Sequence, residues 1–335
     1  MPSAFQPSAH AGTLHHVQPT VYAFEYASSS APQNTLLFIP GLFNTILTPT
    51  YPNTLASHLP SSWRLVRVQL SSSGEAWGTK SLAQDVEELA AVVRYFRNLQ
   101  SSTSQNATSR GKIAIMGHST GCQDCIEYLV GGSTSTTQSY NGGISQHQKE
   151  GQGVDAVILQ APVSDREAIE LLATKQTIDE ATDLAKKSIS ENDVGNDILP
   201  IKLTTYIIGP APISAKRLLS IVSPGPEHVG EDDYFSSDFE TDRLEATFGR
   251  IPKGVRMQVL FGGSEEFVPP SVDKEALVKR WKSVMEKGDG TWDEDSGVVP
   301  KARHGLDGID AEEATGDVCA RVKRLLERLQ NVAKI

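Results

Sequence analysis

Gly117-His118-Ser119-Thr120-Gly121 sets one hydroxyl between two glycines, the spacing of a nucleophile carried on a sharp strand-to-helix turn. Such a turn has no room for bulk two residues before or after the serine, so glycine suits both places. It would lift the Ser119 hydroxyl clear of the sheet edge, with the N-terminus of the next helix aimed at the reacting oxygen. A serine hydroxyl is a poor nucleophile until a base takes its proton, and that base must be oriented by a carboxylate. On this kind of turn the partners follow in the order serine, acid, histidine. Of the eight histidines, His147, His228 and His304 follow Ser119. His147 lies in a low-complexity tract and His228 in a long excursion before the last core strands. His304, in a loop before the final helix, takes the general-base role.

The acid is sought after the apolar run Met257-Gln258-Val259-Leu260-Phe261, in Gly262-Gly263-Ser264-Glu265-Glu266-Phe267-Val268-Pro269. Many hydrolases with such a nucleophile turn carry Gly-x-x-Asp-x-x-Val-Pro there, and Glu265 stands in the aspartate's place. Glu266 is the nearest competitor and Asp273 a more distant one. The oxyanion of a tetrahedral intermediate needs two backbone N–H donors. Thr120, after the nucleophile, supplies one. Leu42, in Pro40-Gly41-Leu42-Phe43 after the first buried strand, is the choice for the other, with Phe43 as the alternative.

These residues need a rigid frame. Thr35-Leu36-Leu37-Phe38-Ile39, the run 63–70, Lys112-Ile113-Ala114-Ile115-Met116, 154–159 and 257–261 read as buried strands. Between them, 81–99 places Leu82, Val86, Leu89, Val93 and Phe96 on one helical face, opened by Ser81 and Gln84 as a capping box. Val318, Val322, Leu325 and Leu329 mark a closing helix over 315–332. Strands alternating with helices predict a mostly parallel sheet covered on both faces, and the Gly117-x-Ser119-x-Gly121 turn between strand and helix makes the expected form of it an α/β-hydrolase fold. One domain over 14–335 is expected, with a flexible segment at 1–13. The tract 131–153, rich in Ser, Thr, Gln and Gly, predicts a mobile surface loop. About ninety residues, roughly 162–252, separate two core strands, far more than a usual crossover, and predict an inserted lid.

Composition narrows the function classes. The 335 residues carry a net charge of −10, with 31 Lys and Arg against 41 Asp and Glu, and no basic patch for a phosphate backbone. Nucleic acid is therefore not expected as a partner, and no obligate protein partner is evident. The first residues lack a signal-peptide pattern, and no run approaches the roughly 18 apolar residues of a membrane span. A cytoplasmic location is expected, with Ala333-Lys334-Ile335 loosely resembling a peroxisomal signal. Asn106-Ala107-Thr108, a glycosylation sequon, would then go unused. Cys122, Cys125 and Cys319 suit core packing rather than a disulfide framework or a zinc site. The mechanism implied by Ser119 needs no metal or other cofactor.

Several longer segments carry a resemblance. Ile39-Pro40-Gly41-Leu42, the segment from Gln69 to Gly74 with Trp77-Gly78, Ser119-Thr120-Gly121-Cys122-Gln123-Asp124, and Asp232-Asp233-Tyr234-Phe235-Ser236-Ser237-Asp238 together resemble a fungal and plant family of uncharacterised-domain α/β hydrolases. The resemblance runs from about residue 14 to the end. The best understood members of that family are fungal esterases that cleave fusarinine-type cyclic ester siderophores. The resemblance thus implies hydrolysis of esters linking hydroxamate-bearing ornithine units and release of iron. A general carboxylesterase, lipase or thioesterase would use the same three side chains, and a silent binding protein on this fold would not need them. Glu265, where an aspartate is commoner, departs from the usual pattern of the fold. Within the expected lid, Asp232 and Asp233 stand beside aromatic rings, and one reading places them at the pocket, facing cationic groups of a substrate. The other reading is a solvated acidic surface.

Overall fold

The computed structural model describes residues 8–28, 30–103, 110–131, 153–192 and 195–331. The first seven residues, the Asn106 sequon, His147 with most of the 131–153 tract, and the terminal tripeptide lie outside the described residues.

Among the described residues nine strands form one sheet: β1 (Gly12–Gln18), β2 (Val21–Tyr26), β3 (Asn34–Ile39), β4 (Trp63–Gln69), β5 (Ile113–His118), β6 (Ala156–Gln160), β7 (Arg256–Gly262), β8 (Thr291–Trp292) and β9 (Gly297–Val299). The order is β1-β2-β4-β3-β5-β6-β7-β8, with β9 also paired to β7. From β4 onward along that order the pairs are parallel, whereas β1 and β2 join antiparallel at the edge. This is the α/β-hydrolase architecture. The apolar runs that predicted strands are buried on both faces, as the centre of a covered parallel sheet requires.

The helices are α1 (Tyr51–His58), α2 (Leu82–Thr103), α3 (Gly121–Val130), α4 (Asp165–Leu172), α5 (Lys175–Asn192), α6 (Ile201–Ile208), α7 (Ala215–Val222), α8 (Thr241–Glu245), α9 (Lys274–Met285) and α10 (Ala311–Asn331). The Ser81 hydroxyl accepts from the Gln84 N–H at 3.2 Å and so opens α2 as its capping pattern predicts. Alternation along β3 divides the core. Leu37 and Ile39 pack with α2, α3 and α9, whereas Leu36 and Phe38 pack with α1 and α10. No helix among the described residues is long and apolar enough to cross a membrane.

The N-terminal segment joins the sheet at Gly12, two residues before the expected start of the domain. Between β6 and β7 the chain carries α4 to α8, and a separate apolar cluster there runs from Ile169 to Val222. Tyr234, Phe235, Phe239, Leu244, Phe248 and Ile251 instead share the main core with Trp281, so the later part of that excursion is packed as body rather than as cap.

Candidate active site

Ser119 sits between β5 and α3 with φ 55°, a left-handed backbone that a non-glycine residue adopts only where its surroundings enforce it. Three glycines enforce it here. A Cβ at Gly117 would lie 2.3 Å from the Gly121 carbonyl oxygen, and one at Gly121 would lie 2.4 Å from that of Ile39. A Cβ at Gly41 would come within 2.6 Å of the Ser119 Cβ, so the turn after β3 can lie against the nucleophile only without a side chain. The Ser119 N–H donates to the Gln160 carbonyl at the end of β6, 3.0 Å away.

His304 lies in the loop between β9 and α10. Its Nδ1 is 2.9 Å from Glu265 Oε1, with the Glu265 side chain wholly out of solvent and that of His304 14% exposed. Glu266 meets the backbone of that loop instead of the ring. It accepts from the His304 backbone N–H at 3.0 Å and pairs with Arg303 at 3.0 Å. These contacts hold the Glu266 carboxyl below its usual range against the effect of partial burial. Asp273 is further removed in role, since its Oδ1 caps α9 by accepting from the Ala276 N–H at 3.0 Å. Phe267 meets the His304 ring edge-on at 4.7 Å between centroids. His228 belongs elsewhere: its Nδ1 contacts the Ser223 carbonyl at 2.6 Å, at the end of α7.

Ser119 and His304 open into one cavity of about 730 Å³, within the usual size of small-molecule sites. Its floor is the loop ends of the sheet, and its walls come from α4, α6 and α7, including Ile169, Leu172, Ile207 and Ile221. Leu42 and Phe43 both line it beside Ser119. Phe43 has φ 61° and packs edge-on against Trp77 at 5.4 Å. Thr120 precedes α3, whose Cys122 N–H donates to the Ser119 carbonyl at 2.8 Å, so the N-terminal end of that helix closes the turn that carries the nucleophile. Among the described residues no three His, Cys, Asp or Glu side chains are placed to hold a metal ion. The three cysteines are buried and free, and Cys122 donates its thiol to the Gln160 carbonyl at 3.3 Å.

A family described as "Protein of unknown function (DUF1749)" matches residues 3–327. The chain belongs to this family. Similar to it are the fusarinine C esterase sidJ of Aspergillus fumigatus, 35% identical over 340 residues, 95% of this chain and 96% of that one, and the esterase AN6793 of Emericella nidulans, 35% identical over 341 residues, 93% and 91%. The solved structure of the siderophore hydrolase EstB from Aspergillus fumigatus superposes with a TM-score of 0.81 at 33% identity, covering 98% of this chain and 99% of that one. A monoglyceride lipase of Saccharomyces cerevisiae shares the fold at a TM-score of 0.59 and 12% identity.

Asp124 of the Ser119–Asp124 segment and Asp232 of the Asp232–Asp238 segment both lie around Arg217 of α7. Asp232 and Asp233 do not line the cavity, contrary to the reading that put them there. Arg217 of α7 holds both oxygens of Asp232 at 2.8 and 2.7 Å, and Arg166 of α4 holds Asp233 at 3.2 Å. The two carboxylate side chains are each only 1% exposed. Charges this deep persist because each has its counter-ion, so these two residues are neither a pocket lining nor a solvated surface. Asp85 of α2 and Asp124 of α3 close around the same Arg217; burial, partly opposed by Arg217, pushes Asp85 up to about 7 and Asp124 upward as well.

Sequence reasoning missed a further set. Gln160 closes β6 with its side chain buried. Its Oε1 faces His118 Nδ1 and accepts from the Tyr51 hydroxyl at 3.1 Å, while its Nε2 donates to the His304 carbonyl at 3.4 Å. One residue thus touches both the nucleophile's amide and the histidine loop. A glutamine ending the apolar run Ala156-Val157-Ile158-Leu159 was the available signal. The His118 ring lies 5.1 Å from that of His304. Burial, helped by the nearby His304 charge, pushes His118 down to about 3, so it stays neutral while His304 works.

Proposed function

We propose that the protein is a serine esterase that hydrolyses ester bonds of a hydroxamate siderophore of the fusarinine type through an acyl-enzyme, assisting iron release. The observation that carries the reading is His304, paired behind with the buried Glu265, opening onto the same cavity as Ser119. The relatives named as a fusarinine C esterase and a siderophore hydrolase support the substrate class.

In this mechanism the Ser119 Oγ attacks the ester carbonyl while His304 Nε2 takes its proton. Glu265 accepts from the Nδ1–H, fixes the tautomer and stabilises the imidazolium. The oxyanion forms against the Thr120 and Leu42 N–H groups, reinforced by the N-terminus of α3. Collapse breaks the ester C–O bond, and His304 returns its proton to the leaving alkoxide. Water, deprotonated by His304, then attacks the acyl-Ser119 ester and releases the acid, with the Ser119 oxygen regaining the proton. The section from α4 to α7 acts as the cap that shapes the pocket.

The test is mass spectrometry of products from a panel of iron-free and iron-loaded siderophores beside simple p-nitrophenyl esters. Ring-opened or monomeric hydroxamate products, absent with Ser119→Ala, are expected. Turnover of the simple esters with every siderophore left intact would return the protein to the general carboxylesterases.

A further inference from the structure

Three carboxylates and no lysine or arginine line the active-site cavity among the described residues: Asp165, Glu266 and Asp307. Two of them are already engaged. Glu266 and Asp307 both face Arg303, at 3.0 and 3.7 Å. Asp165 is different. It opens α4 directly after the Ser164 cap, and its Oδ2 accepts from Gln123 Nε2 at 3.0 Å. That neutral amide is its one side-chain partner among the described residues. Arg166 next to it turns to Asp233 and Asp238, and Arg217 is committed to Asp232.

An unpaired carboxylate against an apolar wall is an expensive arrangement. The Asp165 carboxyl is pushed well above its usual range by burial and by Asp232 and Asp233, with Arg217 and the Gln123 contact only partly opposing. A positive group arriving in the cavity would draw Asp165 toward its ionised form and would meet no lysine or arginine of the lining.

We propose that Asp165 is a specificity-determining residue of the pocket, the counter-ion for a cationic nitrogen, such as a protonated primary amine, carried by the ester substrate. The inference rests on the esterase reading for its chemistry and adds the charge of the substrate and the residue that reads it. Gln123 holds the carboxylate toward the cavity, and the apolar residues of α4, α6 and α7 take the remainder of the substrate. This role belongs to Asp165 rather than to Asp232 and Asp233, whose charges are spent inside the fold.

The test compares an ester bearing a primary amine with its N-acetylated counterpart, in the parent protein and in Asp165→Asn. The expected result is a preference for the amine that falls by roughly 10- to 100-fold in the ratio of kcat/KM, carried mainly by KM. Equal labelling of both proteins by a serine-reactive fluorophosphonate checks that Ser119 and the fold survive. The same pair of ligands is titrated calorimetrically against Ser119→Ala with and without Asp165→Asn, which reads recognition without turnover. Selective loss of amine binding there supports the inference even if neither ester is cleaved, a result that would overturn the esterase reading alone. Equal affinity for the two ligands, or equal effects of Asp165→Asn on both, overturns the role of Asp165.

Discussion

Glu265 and Glu266 are adjacent in sequence yet hold His304 from two sides: Glu265 meets the ring at Nδ1, 2.9 Å away, and Glu266 takes the backbone N–H at 3.0 Å. One fixes the tautomer of the imidazole and the other fixes the loop that carries it. Only the first can stabilise the imidazolium formed during proton transfer.

Ser119→Ala and His304→Ala are therefore expected to lower kcat by about 10³- to 10⁶-fold, with the fold intact. Glu265→Gln should cost a large part of that loss, because an amide in its place cannot carry the countercharge. Glu266→Gln should cost less than about tenfold, since it weakens one backbone contact. Steady-state kinetics on a p-nitrophenyl ester ranks the four variants. A greater loss in Glu266→Gln than in Glu265→Gln would reverse the assignment.

How far the sequence could be read depended on the range of the interactions. Ser119 and its glycines are a local pattern, since the constraint acts between residues two apart and the strand and helix flank it directly. His304 and Glu265 were reachable through chain order. Asp232 and Asp233 were misplaced because their partners, Arg217 and Arg166, lie 15 and 67 residues away, and acidity in one dimension says nothing about a counter-ion in three. The β1–β2 hairpin escaped notice because β1 is an exposed edge strand with no buried alternation to mark it. Gln160 and Asp165 were silent for a related reason: each takes its meaning from groups on other strands and helices.

His118 links folding to pH. Its folded value, about 3, lies below the ordinary 6.5, so its neutral form is the one the fold accommodates. The associated stability is present above pH 6.5 and is lost as pH falls toward 3, because the unfolded chain takes up the proton first. Between pH 7 and pH 4 this amounts to roughly 3 kcal/mol. His118→Asn keeps a donor for Gln160 but does not titrate. Urea titrations across that range should show its acid loss smaller than the parent's by about this amount, and parallel profiles would contradict the buried neutral histidine.

Gln160 should act on rate more than on binding. Gln160→Leu removes the acceptor for Tyr51 and His118 and the donor to the His304 carbonyl, but leaves the backbone contact to Ser119 in place. A fall in kcat of about 10- to 100-fold with KM within a few-fold is expected, on the scale at which small misplacements act. Gln160→Glu restores the acceptor but not the donor and should recover only part. An unchanged kcat in soluble Gln160→Leu would show that the loop of His304 is held without it.

Chelation should leave turnover unchanged. In the proposed mechanism the oxyanion is held by backbone N–H groups and the proton is carried by His304, so no step calls on a metal ion. Exhaustive EDTA treatment followed by assay on an iron-free ester is the measurement. Loss of activity that zinc restores would refute the mechanism.

Arg217 draws α7, Asp232 and the carboxylates of α2 and α3 together. Its guanidinium reaches from α7 to both oxygens of Asp232, and Asp85 and Asp124 of the body raise its charge preference further. Replacing it with Met leaves Asp232 buried without a counter-ion, a change that costs about 3–5 kcal/mol when one partner of a buried pair is removed. Asp232→Asn in the same protein removes the stranded charge. The double variant should therefore regain a large part of that loss, with a coupling of about 1–3 kcal/mol in a double-mutant cycle by urea unfolding. Asp85 adds a pH dependence of opposite sign to that of His118. Its folded value, near 7, is above its ordinary 3.8, so the stability it contributes is full below about pH 4 and is lost as pH rises toward 7. Asp85→Asn should flatten that decline. Because neither Asp232 nor Asp233 lines the cavity, Asp232→Asn and Asp233→Asn should shift the unfolding midpoint and leave the ratio of kcat/KM for amine and N-acetyl esters within about twofold. A selective loss on the amine in either variant would return substrate recognition to the Asp232-Asp233 pair.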